Sequence, residues 1–164
     1  MPAITNPRQT ILVSMRGKVS ILGKEVTKDN IITLSWHMPV SFEPMMYAIA
    51  IGKSRFSAKL IRQSKVFVVN FVSISFEKQA AFCGRHSGEH MDKFEEGNII
   101  KEEAEKIDCP RLKEAVGFIE CEVVDEVDAG DHIIFIGKAL HSELRDDGAK
   151  RLFQVTGTEF TTTE

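Results

Sequence analysis

Between Gly52 and Leu60 the chain reads GKSRFSAKL, which places Lys53, Ser54, Arg55 and Ser57, two cations and two hydroxyls, in five residues. Phe56, Leu60 and Ile61 share one face of a short helix, so the pattern predicts a helix start here with Ser54 as N-cap. A helix start leaves backbone N–H groups unpaired, and these groups and the helix dipole both favour negative charge. With Arg55 and the hydroxyls beside them, the segment reads as an anion site. A capped helix with exposed charges has the same pattern, and spacing alone does not separate the two.

A second polar cluster follows at Arg85-His86-Ser87-Gly88-Glu89-His90-Met91-Asp92-Lys93-Phe94. Two histidines, a serine and charges of both signs in ten residues predict a binding loop rather than a connector. His86 to His90 also matches H-x-x-E-H, the pattern of inverted zinc peptidases. That chemistry needs a helix carrying both histidines on one face, and Gly84 and Gly88 weaken a helix there. Three fixed positions in five also recur by chance. There is no G-x-S-x-G, no local Cys–His pair, no G-x-G-x-x-G and no G-x-x-x-x-G-K, so neither a nucleophile nor a standard nucleotide loop is indicated.

Two single residues stand apart. Asn70 interrupts the β-prone run VFVVNFV, and a buried amide there either ties to neighbouring backbone or faces a ligand. His132 opens a strand directly after the acidic turn Asp128-Ala129-Gly130-Asp131, as a surface or hydrogen-bonding residue or as a catalytic one.

The elements that must position these groups are mostly strands. Ile32, Leu34 and Trp36 alternate with Ile31, Thr33 and Ser35, one face apolar and the other carrying two hydroxyls. Pro39 and Pro44 make HMPVSFEP a loop or an edge segment, and Tyr47 to Ile51 reads as a buried strand. Upstream, residues 1–9 form an arm, and Thr10 to Met15 and Val19 to Leu22 are strands about a turn at Arg16-Gly17-Lys18. Downstream, Phe76 to Cys83 is helical with Gly84 as its stop, KEEAEKI is an exposed helical piece, and Ala115 to Val127 pairs with His132 to Leu140. Residues 145–164 hold a short apolar run and a polar tail. Short strands with a few short helices predict one mainly β domain, a closed or nearly closed antiparallel barrel.

With 21 basic against 24 acidic residues the net charge is −3, which argues against nucleic acid as partner. Cys83, Cys109 and Cys121 are odd in number and far apart, which speaks for a reducing compartment. No run reaches the length of a membrane-spanning helix and the N-terminus lacks a signal-like apolar core. The expectation is a cytoplasmic protein without a membrane partner.

Taken in order, NIITLSWHMPVSFEP, GKSRFSAKLI, FVVNF, CGRHSGEHMDKF and AGDHIIFIGKA resemble the flavin reductase-like family, particularly its flavoredoxin-type prokaryotic members. The resemblance implies an FMN-binding split β-barrel and a homodimer with flavin sites near the subunit interface. It implies that Asn30, Thr33, Ser35, Trp36 and His37 line the isoalloxazine and that Ser54, Arg55, Phe56 and Ser57 hold the phosphate. Ser87, Asp92 and Lys93 would close over the cofactor, with Asn70 a further candidate. Lys93 would pair with phosphate or with negative charge on reduced flavin. His132 would stand at the flavin edge where a nicotinamide or a partner approaches. NADH or NADPH, or a redox partner protein, would reduce FMN, and a small-molecule or protein acceptor would reoxidise it. A tightly loaded electron carrier without direct NAD(P)H use is the alternative. Since the flavin would carry the redox step, no catalytic triad is needed.

Overall fold

The computed structural model describes residues 3–163. Its strands are β1 (Arg8–Gln9), β2 (Ile11–Ile21), β3 (Lys24–Leu34), β4 (His37–Phe42), β5 (Met45–Gly52), β6 (Val66–Phe71), β7 (Lys101–Glu103), β8 (Pro110–Leu112), β9 (Gly117–Ala129), β10 (His132–Leu144), β11 (Phe153–Thr156) and β12 (Glu159–Thr161). Three short α-helices, α1 (Phe56–Ser64), α2 (Glu77–Arg85) and α3 (Lys93–Glu96), and two 3-10 turns (Ala3–Thr5 and Ile74–Phe76) complete the set. The mainly β expectation holds, and the fold is the split barrel.

Seven strands form one antiparallel sheet in the order β3-β2-β6-β9-β10-β5-β4. The sheet curls because its inward residues form a single apolar interior: Ile11, Val13 and Met15 of β2 meet Ile49 and Ile51 of β5, Phe67 of β6 and Phe135 of β10. Ala58, Leu60 and Ile61 of α1 close one end of that interior. On the other face of β2, Leu12 packs with Ile31, Ala80, Cys83 and Phe94 under α2 and α3. Both faces of β2 are therefore buried over its first half, which reads as an apolar run broken only by Ser14.

Several expectations change in three dimensions. Arg16-Gly17-Lys18 is not a turn; β2 runs straight through it and pairs Gly17 with Lys28. A side chain at 17 would come within 2.9 Å of Leu60 Cδ2, so the glycine lets α1 lie close on the sheet. HMPVSFEP contains an edge strand, β4, whose outer side needs no N–H from its proline. α2 runs past Gly84 to Arg85.

The segment KEEAEKI is not helical. Lys101–Glu103 is β7 and pairs with β8, because Glu102 accepts from Arg111 at 2.8 Å and Glu103 accepts from Arg16 at 2.8 Å. The carboxylate of fully buried Glu120 then takes the N–H groups of Glu105 and Lys106, at 3.0 and 2.8 Å. These ion pairs and hydrogen bonds override a helix propensity worth only tenths of a kcal/mol per residue.

The arm and the tail form a small sheet of their own, β1-β11-β12. Residues 1–2 and 164, the outer ends of both, lie outside the described residues.

A Cβ at Gly137 of β10 would stand 2.7 Å from Cys121 Cβ and from the Phe67 ring, both fully buried. Gly137→Ala is expected to cost about 1–3 kcal/mol through overpacking, measured as a lower urea midpoint. An unchanged midpoint would show that the barrel has spare room at this point.

Candidate functional site

The barrel opens where β3 ends at Leu34. The chain bends through Ser35 and Trp36 into β4 at the far edge of the sheet, and Ala50 N–H of β5 donates to Trp36 C=O at 2.9 Å. Beside this bend lies a chamber of about 190 Å³, walled by residues 32–36 of the β3 end, Ala50 and Gly52 of β5, Gly84 of α2, His132 of β10 and Gln154 of β11. The Trp36 and His132 rings meet at 4.5 Å between centroids, tilted by 30°, and the Arg8 guanidinium lies 5.9 Å over Trp36. His132 Nδ1 is 2.6 Å from Asp131 Oδ1, which sets the ring's orientation.

A second chamber of about 270 Å³ continues from the first, sharing Ile32, Arg55 and Gly84. Ser54, Arg55, Phe56 and Ser57 form one wall, and residues 86–90 with Lys93 form the other. The two chambers make one elongated cleft.

At the α1 end the N-cap is Arg55, not Ser54, with extended backbone and no side-chain cap. The hydroxyl of Ser57 instead accepts from Asn30 Nδ2 at 2.9 Å. The Ala58 N–H turns back to Arg55 C=O at 3.1 Å, and no side chain caps the N–H groups of Phe56 and Ser57, which are left for a ligand. Among the described residues the Arg55 guanidinium has neither a hydrogen bond nor a carboxylate partner. Lys53, by contrast, is paired with Asp128.

Lys93 is 2% exposed, and its ammonium donates to Ile31 C=O and Cys83 C=O, both at 2.8 Å. One of its three donors is left over, no carboxylate pairs with it among the described residues, and it lines the second chamber. Burial pushes its pKa down to about 8, and Arg55 acts in the same direction. Asn30, 1% exposed, has an unpartnered Oδ1, and a Cβ at Gly88 would stand 1.9 Å from that oxygen. Only glycine lets the 86–90 loop close over Asn30.

Of the expected site residues, the structure brings Thr33, Ser35, Trp36 and His132 to the first chamber, Ser54, Phe56, Ser57, Ser87 and Lys93 to the second, and Arg55 to both. Asn30 reaches the cleft through Ser57 and Gly88. The Thr33 hydroxyl donates to Ala80 C=O at 2.6 Å, and that of Ser35 is 3.2 Å from Thr10 Oγ1, so each keeps only part of its capacity for a ligand.

Three expected residues lie elsewhere. Asn70 takes the structural role: Nδ2 donates to Leu12 C=O and Ser14 Oγ, and Oδ1 accepts from Leu112 N–H. Asp92 is the cap of α3, accepting from Phe94 and Glu95 N–H. His37 bridges Tyr47 Oη at 2.7 Å and Gln9 C=O at 2.8 Å, and burial lowers its pKa. It fastens the arm to β4.

His86 is the extended residue that ends α2, so His86 and His90 do not share a helical face. Among the described residues no group of three His, Cys, Asp or Glu side chains is placed to hold a metal. The zinc-peptidase geometry is missing. Gln154 and Gly84 are cleft residues with no binding signal in the sequence: Gln154 arrives on the β11–β12 hairpin, and Gly84 has the pattern of a helix stop.

The flavin reductase like domain model matches residues 12–160. An uncharacterized protein of Archaeoglobus fulgidus is 38% identical over 71% of this chain and 66% of its own length. The ferric-chelate reductase (NAD(P)H) of the same organism is 27% identical over 64% of this chain and 62% of its own length. The chain thus spans less than two thirds of each of these relatives. The crystal structure of an FMN-binding protein from Thermus thermophilus superposes with a TM-score of 0.84 at 19% identity, covering 99% of this chain and 89% of that one, a likeness of fold. The match over residues 12–160, together with the cleft at the split of the barrel, makes this chain a member of the flavin reductase-like family.

Proposed function

We propose that the cleft holds FMN and that the chain is an oxidoreductase in which NADH or NADPH reduces that FMN, which then passes electrons to a small-molecule or protein acceptor. The observation that carries this reading is the polarity of the cleft. One end has an aromatic wall; the other has two cations, Arg55 and Lys93, without carboxylate partners among the described residues. A flat ring system joined to a phosphate matches that sequence of environments. The names of the Thermus FMN-binding protein and of the Archaeoglobus NAD(P)H reductase support the cofactor and the donor.

Bound FMN would supply hydride acceptance and release of one or two electrons. The chain's own residues do the placing. Arg55, the remaining donor of Lys93 and the uncapped start of α1 would hold the phosphate, with charge-assisted bonds worth about 1.5–3 kcal/mol each. Trp36, in tilted contact with His132 and covered by Arg8, gives the ring end an aromatic wall. Asn30 Oδ1 offers an acceptor to a ligand hydroxyl or N–H.

The assembly we propose is a homodimer. Trp36, Met38, Ala48, Ala50 and Ile134 line an open apolar hollow of about 210 Å³ on the face of β4, β5 and β10, and Met38 is 57% exposed. A second copy covering it would also border the ring end of the cleft through Trp36. Met38→Glu is expected to give a monomer in light scattering; a wild-type monomer would remove the assembly. Localisation in a reducing cytoplasm is supported by three buried, unpaired thiols.

Arg55→Ala is expected to weaken FMN by tenfold or more and riboflavin little, because only FMN has the phosphate; equal losses would refute the phosphate assignment. The affinity of wild type for FMN should also fall as pH rises through about 8, where Lys93 in the empty protein loses its proton. Lys93→Met should flatten that fall, and riboflavin should not show it.

Anaerobic stopped-flow mixing of FMN-loaded protein with NADH or NADPH tests the donor. Rapid bleaching of the flavin band is expected. Flavin that yields only to dithionite would make the chain an electron carrier reduced by another protein.

A further inference from the structure

The eight arginines divide sharply by partner. Arg16, Arg62, Arg111 and Arg145 pair with carboxylates, and Arg151 donates to backbone carbonyls. The remaining three, Arg8, Arg55 and Arg85, have no carboxylate partner among the described residues, and all three border the cleft. One phosphate on FMN accounts for Arg55. It does not account for Arg8 and Arg85, which stand at the ring end.

Arg85 lies in a third chamber, about 180 Å³, between α2 and the β11–β12 hairpin. It adjoins the ring chamber, with which it shares Thr33, Ser35, Gly84 and Gln154. Arg85 is the only charged residue among those lining it. Its Nη2 donates to Thr158 Oγ1 at 2.9 Å, which aims the guanidinium and leaves the hydroxyl proton free to donate. A planar cation with spare donors beside hydroxyls suits a phosphate oxygen pair.

We infer that this side chamber is an anion subsite for the pyrophosphate of the reducing dinucleotide, with Arg85 as its cation and Thr158 as the residue that positions it. This rests on the reading of the ring end as the place where a nicotinamide approaches. A nicotinamide against the ring has its pyrophosphate one ribose away, and the opening past Thr33 and Ser35 leads there. The hairpin therefore closes a substrate site as well as fastening the two chain ends. The assignment also separates two anions: the cofactor's phosphate at Arg55 and Lys93, and the donor's pyrophosphate at Arg85.

ADP-ribose is the probe, because it has the pyrophosphate but no nicotinamide and undergoes no redox chemistry. Titrated calorimetrically into FMN-loaded protein, it should bind wild type and bind Arg85→Ala about tenfold or more weakly. Arg85→Lys should recover part of the loss, and Thr158→Val should lose less than Arg85→Ala. FMN affinity should remain within twofold in all variants, which also shows that they fold. Bleaching by NADH should then need a higher concentration in Arg85→Ala, and bleaching by uncharged dihydronicotinamide riboside should not. Equal binding of ADP-ribose to wild type and Arg85→Ala, no binding to either, or an equal loss with the riboside would overturn the subsite. NADH bleaching of wild type alongside any of these leaves the proposed function standing. Arg85-dependent ADP-ribose binding without bleaching by NADH or NADPH supports the subsite and removes the proposed reaction.

Discussion

The ammonium of Lys93 is the interaction on which the cleft depends. It reaches from α3 to carbonyls of β3 and α2, Ile31 and Cys83, and so fixes the distance between the sheet and the helix that walls the second chamber. Taking a cation this far from water is costly, and the cost shows in a pKa lowered from 10.5 to about 8. Two carbonyl dipoles offset part of it. A carboxylate would offset more, and none is paired with Lys93 among the described residues. The fold carries a positive site whose electrostatic complement an anionic ligand would bring.

Around that point the barrel is split rather than closed. β3 and β4 are consecutive in the chain but stand at opposite ends of the seven-stranded order, joined only by Ser35 and Trp36. At this gap backbone groups of the β3 end come into reach of a ligand. Glycines set the clearances: Gly17 lets α1 lie on β2, and Gly88 lets the loop close over Asn30. Arg8, Arg55, Arg85 and Lys93 border the gap without carboxylate partners among the described residues, whereas Arg16, Arg62, Arg111 and Arg145 elsewhere pair with carboxylates, Arg16 with Asp29, Glu103 and Asp108. Arginines without carboxylate partners thus stand where a ligand would come.

Much of this was legible in the residues. Strand alternation from Ile31 to Leu34, the buried run Tyr47 to Ile51 and the hairpin around Gly130 follow from side-chain period and turn chemistry, which are local. The anion segment was legible for the same reason, since a helix start with Arg55 and hydroxyls is contained in five residues. The polar loop at 85–93 announced itself by composition. The capping role of Asp92 was not separated from a binding role, because an aspartate before a helix and an aspartate in a loop look alike until the helix is placed.

What the sequence by itself determined was therefore most of the strands and the polar clusters, because both depend on neighbours within one turn or one strand. Only the tertiary structure decided which groups were already committed. Asn70 is consumed by Leu12, Ser14 and Leu112, His37 by Tyr47 and Gln9, and Lys101–Glu103 becomes a strand through Arg16, Arg111 and Arg145, all partners beyond the reach of a single turn or strand pattern. Gln154 meets the cleft, and Thr158 meets Arg85 of α2, because the hairpin near the C-terminus pairs with the arm near the N-terminus. Hydrogen-bonding capacity is finite, so a polar residue's availability to a ligand depends on contacts that close only when the whole chain has folded.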